Sequence, residues 1–358
     1  MFNGQWTMVS TTKMSFELNK ILRPSIAALK PYSSARDEFT GKADVYLDAN
    51  ENPFDTGLNR YPDPYQQVVK AKIADIKNVR QDRIILGNGS DEVIDLLFRA
   101  FCEPGQDEVI ILPPTYGMYQ VSADINNVKT VKVSLTTDFE IDEPKLLEAI
   151  NENTKIIWFC SPNNPTGNTL DPEAITRVLN SFKGIVVVDE AYIDFSESQS
   201  WIDFLDFHPN LFVMQTLSKA WGLAGLRLGM GFASNEIVSI LNKVKPPYNI
   251  NTLTQEKALD ALGHLEEKNE SVDIILAERV KLGQALAELE TVRHIYPSDA
   301  NFLLVKIDNA TDAYNQLVEK SIIVRNRSTV TLCEDCLRIT VGTPKENEKL
   351  ISALKELI

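Results

Sequence analysis

At roughly 150 residues per domain, a chain of 358 residues holds about two domains and ample material for a large buried core. Hydrophobic residues make up 44% and charged residues 24%, a globular composition that excludes a disordered chain. Lys and Arg total 36 against 50 Asp and Glu, a net charge of −14. With no long Lys/Arg run to oppose it, that charge excludes nucleic acid and membrane as main partners.

Residues 1–13 are polar and patternless and are expected to be a disordered extension. The opening 20 residues lack the basic start, apolar core and small-residue cleavage site of a secretory signal. No apolar run reaches the ~18–20 residues of a membrane span. Four cysteines do not form a disulfide framework in a chain this long, and His208, His264 and His294 have no metal-ligand spacing. No metal site is expected, and the compartment is expected to be the reducing cytoplasm. Cys333-Glu-Asp-Cys336 has C-x-x-C spacing, but neither a second pair nor a histidine cluster accompanies it.

In chain order, apolar runs predict strands at Ile84–Leu86, Val109–Leu112, Thr130–Val133, Ile156–Phe159, Ile185–Val188, Leu211–Gln215 and Gly229–Ala233. Helical periods lie between them, as in Val93, Ile94, Leu97 and Phe101. Runs such as Gly184-Ile-Val-Val-Val188 are apolar on both faces, as in a mostly parallel sheet covered by helices. The fold class is therefore α/β, with a seven-stranded, mostly parallel sheet in a large domain at 46–245. Beyond the Pro/Asn-rich joint at Lys245–Asn251, a charged amphipathic helix is expected at Glu267–Leu289. Strands follow at Val292–Tyr296, Phe302–Ile307, Ile322–Arg325 and Leu337–Val341, with helices at Asp312–Lys320 and Lys345–Leu357. These describe a smaller α+β domain at 246–358, which the N-terminal segment 14–45 is expected to join.

Open α/β sheets place ligands at the carboxyl ends of their strands. The first unusual exit is Leu86-Gly-Asn-Gly-Ser-Asp-Glu92, where Ser90 can cap a helix. It is either an ordinary capped turn or a phosphate cradle at a helix N-terminus. Next, Pro113-Pro-Thr-Tyr-Gly-Met-Tyr119 puts Tyr116 at the sheet mouth, as a ring stacker or a buried hydrophobe. Ser161-Pro-Asn-Asn-Pro-Thr-Gly167 is a rigid loop presenting an amide. Asp189 ends a fully apolar strand and needs a cation, a protonated ring nitrogen or a helix N-terminus as partner. Lys219, beside Leu217, Ala220 and Trp221, has company that lowers a lysine pKa and suits Schiff-base chemistry. Arg227, beyond two glycines, can return as a bidentate phosphate ligand. Arg338 faces away from Leu337, Ile339 and Val341, as either a surface residue or a site residue with Arg325 beside it. A phosphate cradle, a stacker, a ring-nitrogen carboxylate, a lysine and an arginine are together what pyridoxal phosphate requires.

These motifs resemble those of the class I/II, fold-type-I aminotransferases that use pyridoxal phosphate. The resemblance rests on Ser161–Gly167, Asp189-Glu-Ala-Tyr192, and Ser218-Lys219 with Arg227. Asp48-Ala-Asn-Glu-Asn-Pro53, Asn59-Arg-Tyr-Pro62, Phe101–Gly105, Thr216–Ala220 and Leu337–Thr343 are similar to the branch that acts on histidinol phosphate. The likeness runs from about Ile21 to the C-terminus. It implies transamination between L-histidinol phosphate and 2-oxoglutarate, with glutamate as the other product.

It further implies that Lys219 holds the cofactor covalently and shuttles a proton, while Asp189 pairs with the ring nitrogen. Tyr116 would stack on the ring, and Asn164 and Tyr192 would bond its 3′-oxygen. Ser90 and Asp91 through their backbone, with the Ser218 and Arg227 side chains, would bind the cofactor phosphate. Tyr61 would reach that phosphate from the partner of a homodimer. Arg338 would take the substrate's anionic group, helped by Arg325 and Tyr32. Trp221-Gly222 departs from the phenylalanine and small residue common in relatives, which is expected to alter packing and not chemistry. Relatives acting on aromatic amino acids, or decarboxylating threonine phosphate, share the cofactor site. A non-catalytic cofactor-binding regulator would need a DNA-binding module that neither length nor charge accommodates.

Overall fold

The computed structural model describes residues 16–31 and 43–356, so the expected extension at 1–13 lies outside the described residues. Two single-turn helices, α1 (Leu18–Ile21) and α2 (Pro24–Ala27), precede α3 (Gln67–Lys77). An alternation follows: β1 (Ile84–Asn88), α4 (Ser90–Phe101), β2 (Glu108–Ile111), α5 (Met118–Ile125), β3 (Lys129–Lys132) and α6 (Glu143–Ala149). It continues through β4 (Thr154–Cys160), α7 (Pro172–Ser181), β5 (Ile185–Asp189), β6 (Leu211–Thr216), β7 (Leu228–Phe232) and α8 (Asn235–Val244). The remainder is α9 (Thr252–Leu262), α10 (Leu265–Ala287), β8 (Val292–Ile295), β9 (Phe302–Ile307), α11 (Ala310–Glu319), β10 (Arg325–Asn326), β11 (Cys336–Thr340) and α12 (Pro344–Lys355).

The large sheet has the order β1-β7-β6-β5-β4-β2-β3, parallel from β3 through β6, with β7 antiparallel to both its neighbours. Alternation explains its burial on both faces. Val186, Val188 and Val213 enter one apolar core, while Ile185, Val187 and Phe212 enter the core across the sheet. All the strands but β7 therefore point their carboxyl ends at one edge, and Leu228 opens β7 there. The smaller sheet, β10-β11-β9-β8, is wholly antiparallel. Leu337, Ile339 and Val341 lie in its core with α10, α11 and α12, so Arg338 faces the other way.

Three expectations differ from what is observed. Of Ile322–Arg325 only Arg325 is in a strand. The Ile322 amide still closes α11 on Leu317, Ser321 is left-handed at φ 59, and Ile323 is 72% exposed. Ser90 is the first helical residue of α4 and not its cap, because Gly89, at φ 77, takes the cap position. Ile21 and Leu22 pack on the α4 and α8 side of the large sheet instead of the smaller unit, and the Arg23 amide bonds Ala100 at 3.2 Å.

Among the described residues no helix is long and apolar enough to cross a membrane, and no cluster could hold a metal. All four cysteines are free and buried. Cys333 and Cys336 sit in the core beneath the large sheet, where burial raises both thiols, Cys336 to about 11. That makes them inert packing groups at neutral pH.

Candidate active site

Five strand exits meet at one edge of the large sheet. At the first, the chain leaves β1 through Asn88-Gly89 and enters α4, whose first N–H groups have no partner within the helix. Gly89 N donates to Arg227 O at 2.8 Å, which ties the start of α4 to the start of β7. A Cβ on Gly229 would lie 2.4 Å from Ser90 N, so glycine is what lets these backbones touch. Arg227 is left-handed at φ 55, and its Nη2 hangs over Gly89 and reaches Asp91 Oδ2 at 3.3 Å. Thr216 Oγ1 donates to Ser218 Oγ at 2.9 Å, at the same edge. A helix N-terminus with a half-exposed guanidinium above it is an arrangement that suits a phosphate.

Asp189 ends β5 with only 4% of its surface exposed. Its Oδ2 accepts from the Tyr119 hydroxyl at 2.6 Å and its Oδ1 from Ala191 N at 3.1 Å. Burial pushes this carboxyl up to about 6, against the lowering effect of those two donors and of Lys219. No cation among the described residues bonds it, which leaves a costly buried carboxylate that a protonated ring nitrogen would satisfy. Tyr116 meets Tyr119 edge-on at 5.6 Å and donates to Asp91 Oδ1 at 3.2 Å.

Lys219 follows β6, and the residue as a whole is more exposed than its apolar neighbours lead one to expect. Leu217 and Ala220 near it are buried, and Trp221 packs under Lys268 at 5.5 Å. Lys219 Nζ lies 5.5 Å from the Tyr192 ring centre. Desolvation, then Arg338, lowers its pKa, and Asp189 opposes them. Asn164 Nδ2 donates to the Tyr192 hydroxyl at 3.2 Å while its Oδ1 accepts from Arg338 Nη1. Arg338 also lies over the Phe302 ring at 5.3 Å. Across the ribbon, Arg325 on β10 is paired with Arg338 on β11.

The sequence-predicted residues Ser90, Asp91, Tyr116, Asn164, Asp189, Tyr192, Ser218, Lys219, Arg227 and Arg338 thus gather at one edge, with Arg325 beside Arg338. Tyr61 stands on the exposed segment before α3, its ring stacked on Tyr248 at 4.5 Å. Tyr32 lies outside the described residues. Sequence reasoning missed Tyr119, which lies in the first turn of α5, three residues beyond Tyr116. It also missed Asn163, which fixes the loop by bonding Pro114 O and Thr166 Oγ1, each at 2.8 Å. The cradle at Gly89, the buried Asp189 carboxylate and the Lys219 amine of lowered pKa fit the phosphate, ring nitrogen and aldehyde of pyridoxal phosphate.

Residues 43–354 match the family model of class I and II aminotransferases. The chain is 55% identical over 347 residues to the histidinol-phosphate aminotransferase of Flavobacterium johnsoniae, covering 96% of this chain and 99% of that relative. Among solved structures, the histidinol-phosphate aminotransferase of Clostridium acetobutylicum superposes with a TM-score of 0.78 at 25% identity, over 84% of this chain and 91% of that one. The Sinorhizobium meliloti enzyme of that name, solved in complex with pyridoxal-5'-phosphate, gives a TM-score of 0.77 at 24% identity, over 83% and 82%, and shows the same fold.

Proposed function

We propose that this chain, which belongs to the class I and II aminotransferase family, moves an amino group between L-histidinol phosphate and 2-oxoglutarate, giving imidazole-acetol phosphate and L-glutamate in histidine biosynthesis. The observation that carries the reading is the likeness, along nearly its whole length, to a curated histidinol-phosphate aminotransferase. The arginine pair beside the lysine supports it, because both substrates are anions.

When bound, pyridoxal phosphate supplies the electron sink for the pair left as the substrate's Cα–H bond breaks. The protein's residues do the rest. Lys219 Nζ would anchor the cofactor and serve as the base that takes the substrate's Cα proton and later gives it up. Asp189 would face the ring nitrogen and favour its protonated form, and Tyr119 and Ala191 N orient that carboxylate. Tyr116 would lie against the ring, and Asn164 and Tyr192 would bond its oxygen. The α4 N-terminus, Ser218 and Arg227 would hold the phosphate. Arg338, steadied by Asn164 and Phe302, binds the substrate's anionic end, with Arg325 next to it.

A homodimer belongs to the same reading. Leu47, Phe54, Leu58 and Val68 are large apolar side chains left exposed on one stretch, and Tyr61 is among them. That stretch suits a second copy of the chain, to whose cofactor phosphate Tyr61 would reach. The four free cysteines suit the cytoplasm.

Arg338→Lys is expected to keep the cofactor and weaken both half-reactions, since an ammonium cannot bond an anion as a fork. Losing one charge-assisted bond costs about 1.5–3 kcal/mol, roughly ten- to a hundredfold in kcat/KM. Stopped-flow measurement of each half-reaction tests this, and unchanged rates in both would remove Arg338 from the anion pocket. Tyr119→Phe takes the side-chain donor from Asp189 Oδ2, which raises that carboxyl further and loosens its orientation. We expect kcat lower by about tenfold with little change in KM. Steady-state kinetics with an unaltered kcat would show the hydroxyl to be dispensable.

A further inference from the structure

The ribbon that carries Arg325 and Arg338 does not end with β10. Arg327 N donates to Cys336 O at 2.8 Å, which continues the pairing by one residue. Residues two apart on a strand share a face, so Arg327 stands on the face of Arg325 and Arg338, opposite the core-facing Leu337. Diagonal neighbours on such a ribbon are within reach of arginine-length side chains.

Among the described residues, three polar atoms on or just past this ribbon are sealed from solvent without a partner: Arg327 Nε, Ser328 Oγ and Arg338 Nε. A buried donor left unbonded is expensive, and three guanidiniums drawn together add mutual repulsion. The main charges that bear on Arg327 are Arg338 and Arg325, which oppose its protonation, and the Cys333 thiol and Tyr192 hydroxyl, which favour it, with no carboxylate of the described residues among them. Burial and the two guanidiniums push Arg327 down to about 10. Such a cluster is completed by an anion from outside the chain, and the more charge and acceptor oxygens it brings, the better.

We propose that Arg327 is a third anion-binding arginine of the substrate pocket, and that it sets a preference for a phosphate-bearing substrate over a carboxylate. The assignment rests on the transamination reading above. A carboxylate has two oxygens, which Arg338 and Arg325 can satisfy. A phosphate dianion has three and a second negative charge, which gives Arg327 and the Ser328 hydroxyl an acceptor.

The test compares Arg327→Gln and Arg327→Lys with the unaltered holoenzyme on L-histidinol phosphate, L-histidinol and L-glutamate, each as a single half-reaction. Arg327→Gln is expected to lower kcat/KM for histidinol phosphate by about ten- to a hundredfold, mostly through KM. Glutamate and histidinol should change by less than about threefold, which also shows the variant to be folded and loaded, and Lys should restore part of the loss. Inorganic phosphate should inhibit the glutamate half-reaction of the unaltered enzyme competitively, and inhibit Arg327→Gln more weakly. Equal losses on all three substrates, or no loss on histidinol phosphate, would overturn the assignment. An unaltered enzyme that ignores histidinol phosphate would instead sink the transamination reading, and the phosphate inhibition would then decide Arg327 alone. Unequal inhibition would uphold it and equal inhibition would overturn it.

Discussion

Lys219→Ala is expected to abolish transamination, by at least about 10⁴-fold, because in the proposed mechanism one nitrogen both anchors the cofactor and carries the proton. The amine is suited to both tasks. Desolvation and the neighbouring Arg338 lower its pKa, which raises the share of neutral, nucleophilic amine, while Asp189 keeps the shift from going further. The variant should fold, since the side chain is exposed and its noted contact is with the Tyr192 ring at 5.5 Å. Its unfolding midpoint should therefore stay within a few degrees of the unaltered protein, as for most surface substitutions. Borohydride treatment of the loaded, unaltered protein should fix the cofactor to one lysine. Peptide mapping that finds it anywhere but Lys219 would overturn the assignment, as would a Lys219→Ala protein that still transaminates at a measurable fraction of the original rate.

The inner strands of the large sheet were legible because burial on both faces leaves uninterrupted apolar runs such as Ile185–Val188, whereas the edge strand β3 is only partly buried. The site was legible because its residues sit at strand exits, where a carboxylate, a lysine or a doubled glycine breaks an apolar pattern. Asp189 stood out for that reason. Tyr119 did not, because a buried tyrosine that bonds a carboxylate looks in sequence like one that merely fills a core. Arg327 was hidden by the misread strand at Ile322–Arg325, which seemed to end one residue short of Asn326. The ribbon is instead held by pairing to β11, a long-range bond that no local pattern announces. For Lys219 the apolar company read in the sequence does go with a lowered amine pKa, with desolvation as its first cause. What the sequence did not show is that the residue as a whole stays exposed while Leu217 and Ala220 are buried.

Asp189→Asn is expected to leave the fold intact, to keep cofactor binding and to lower kcat by at least about a hundredfold. An amide cannot hold a ring nitrogen protonated, and that contact matters most as charge builds on the ring in the transition state. The same residue gives a stability signature in the cofactor-free protein. Its carboxyl is raised from an ordinary 3.8 to about 6 by burial, so the folded chain holds the proton more tightly than the unfolded one. The stability this confers is full below about pH 4 and is lost as pH rises through 6. The difference corresponds to at most about 3 kcal/mol. An asparagine carries no charge to desolvate, and its amide can still meet the Tyr119 hydroxyl as donor or acceptor. Cofactor-free Asp189→Asn should thus unfold at a higher temperature than the unaltered protein at pH 8 and at about the same temperature at pH 4. Adding pyridoxal phosphate at pH 8 should reverse the order, because only the carboxylate gains a cation. Thermal unfolding at the two pH values, with and without cofactor, checks each step. A variant that is less stable at pH 8 without cofactor would show that the buried charge is already satisfied within the chain, and single-turnover rates equal to the original would show that another group serves the ring nitrogen.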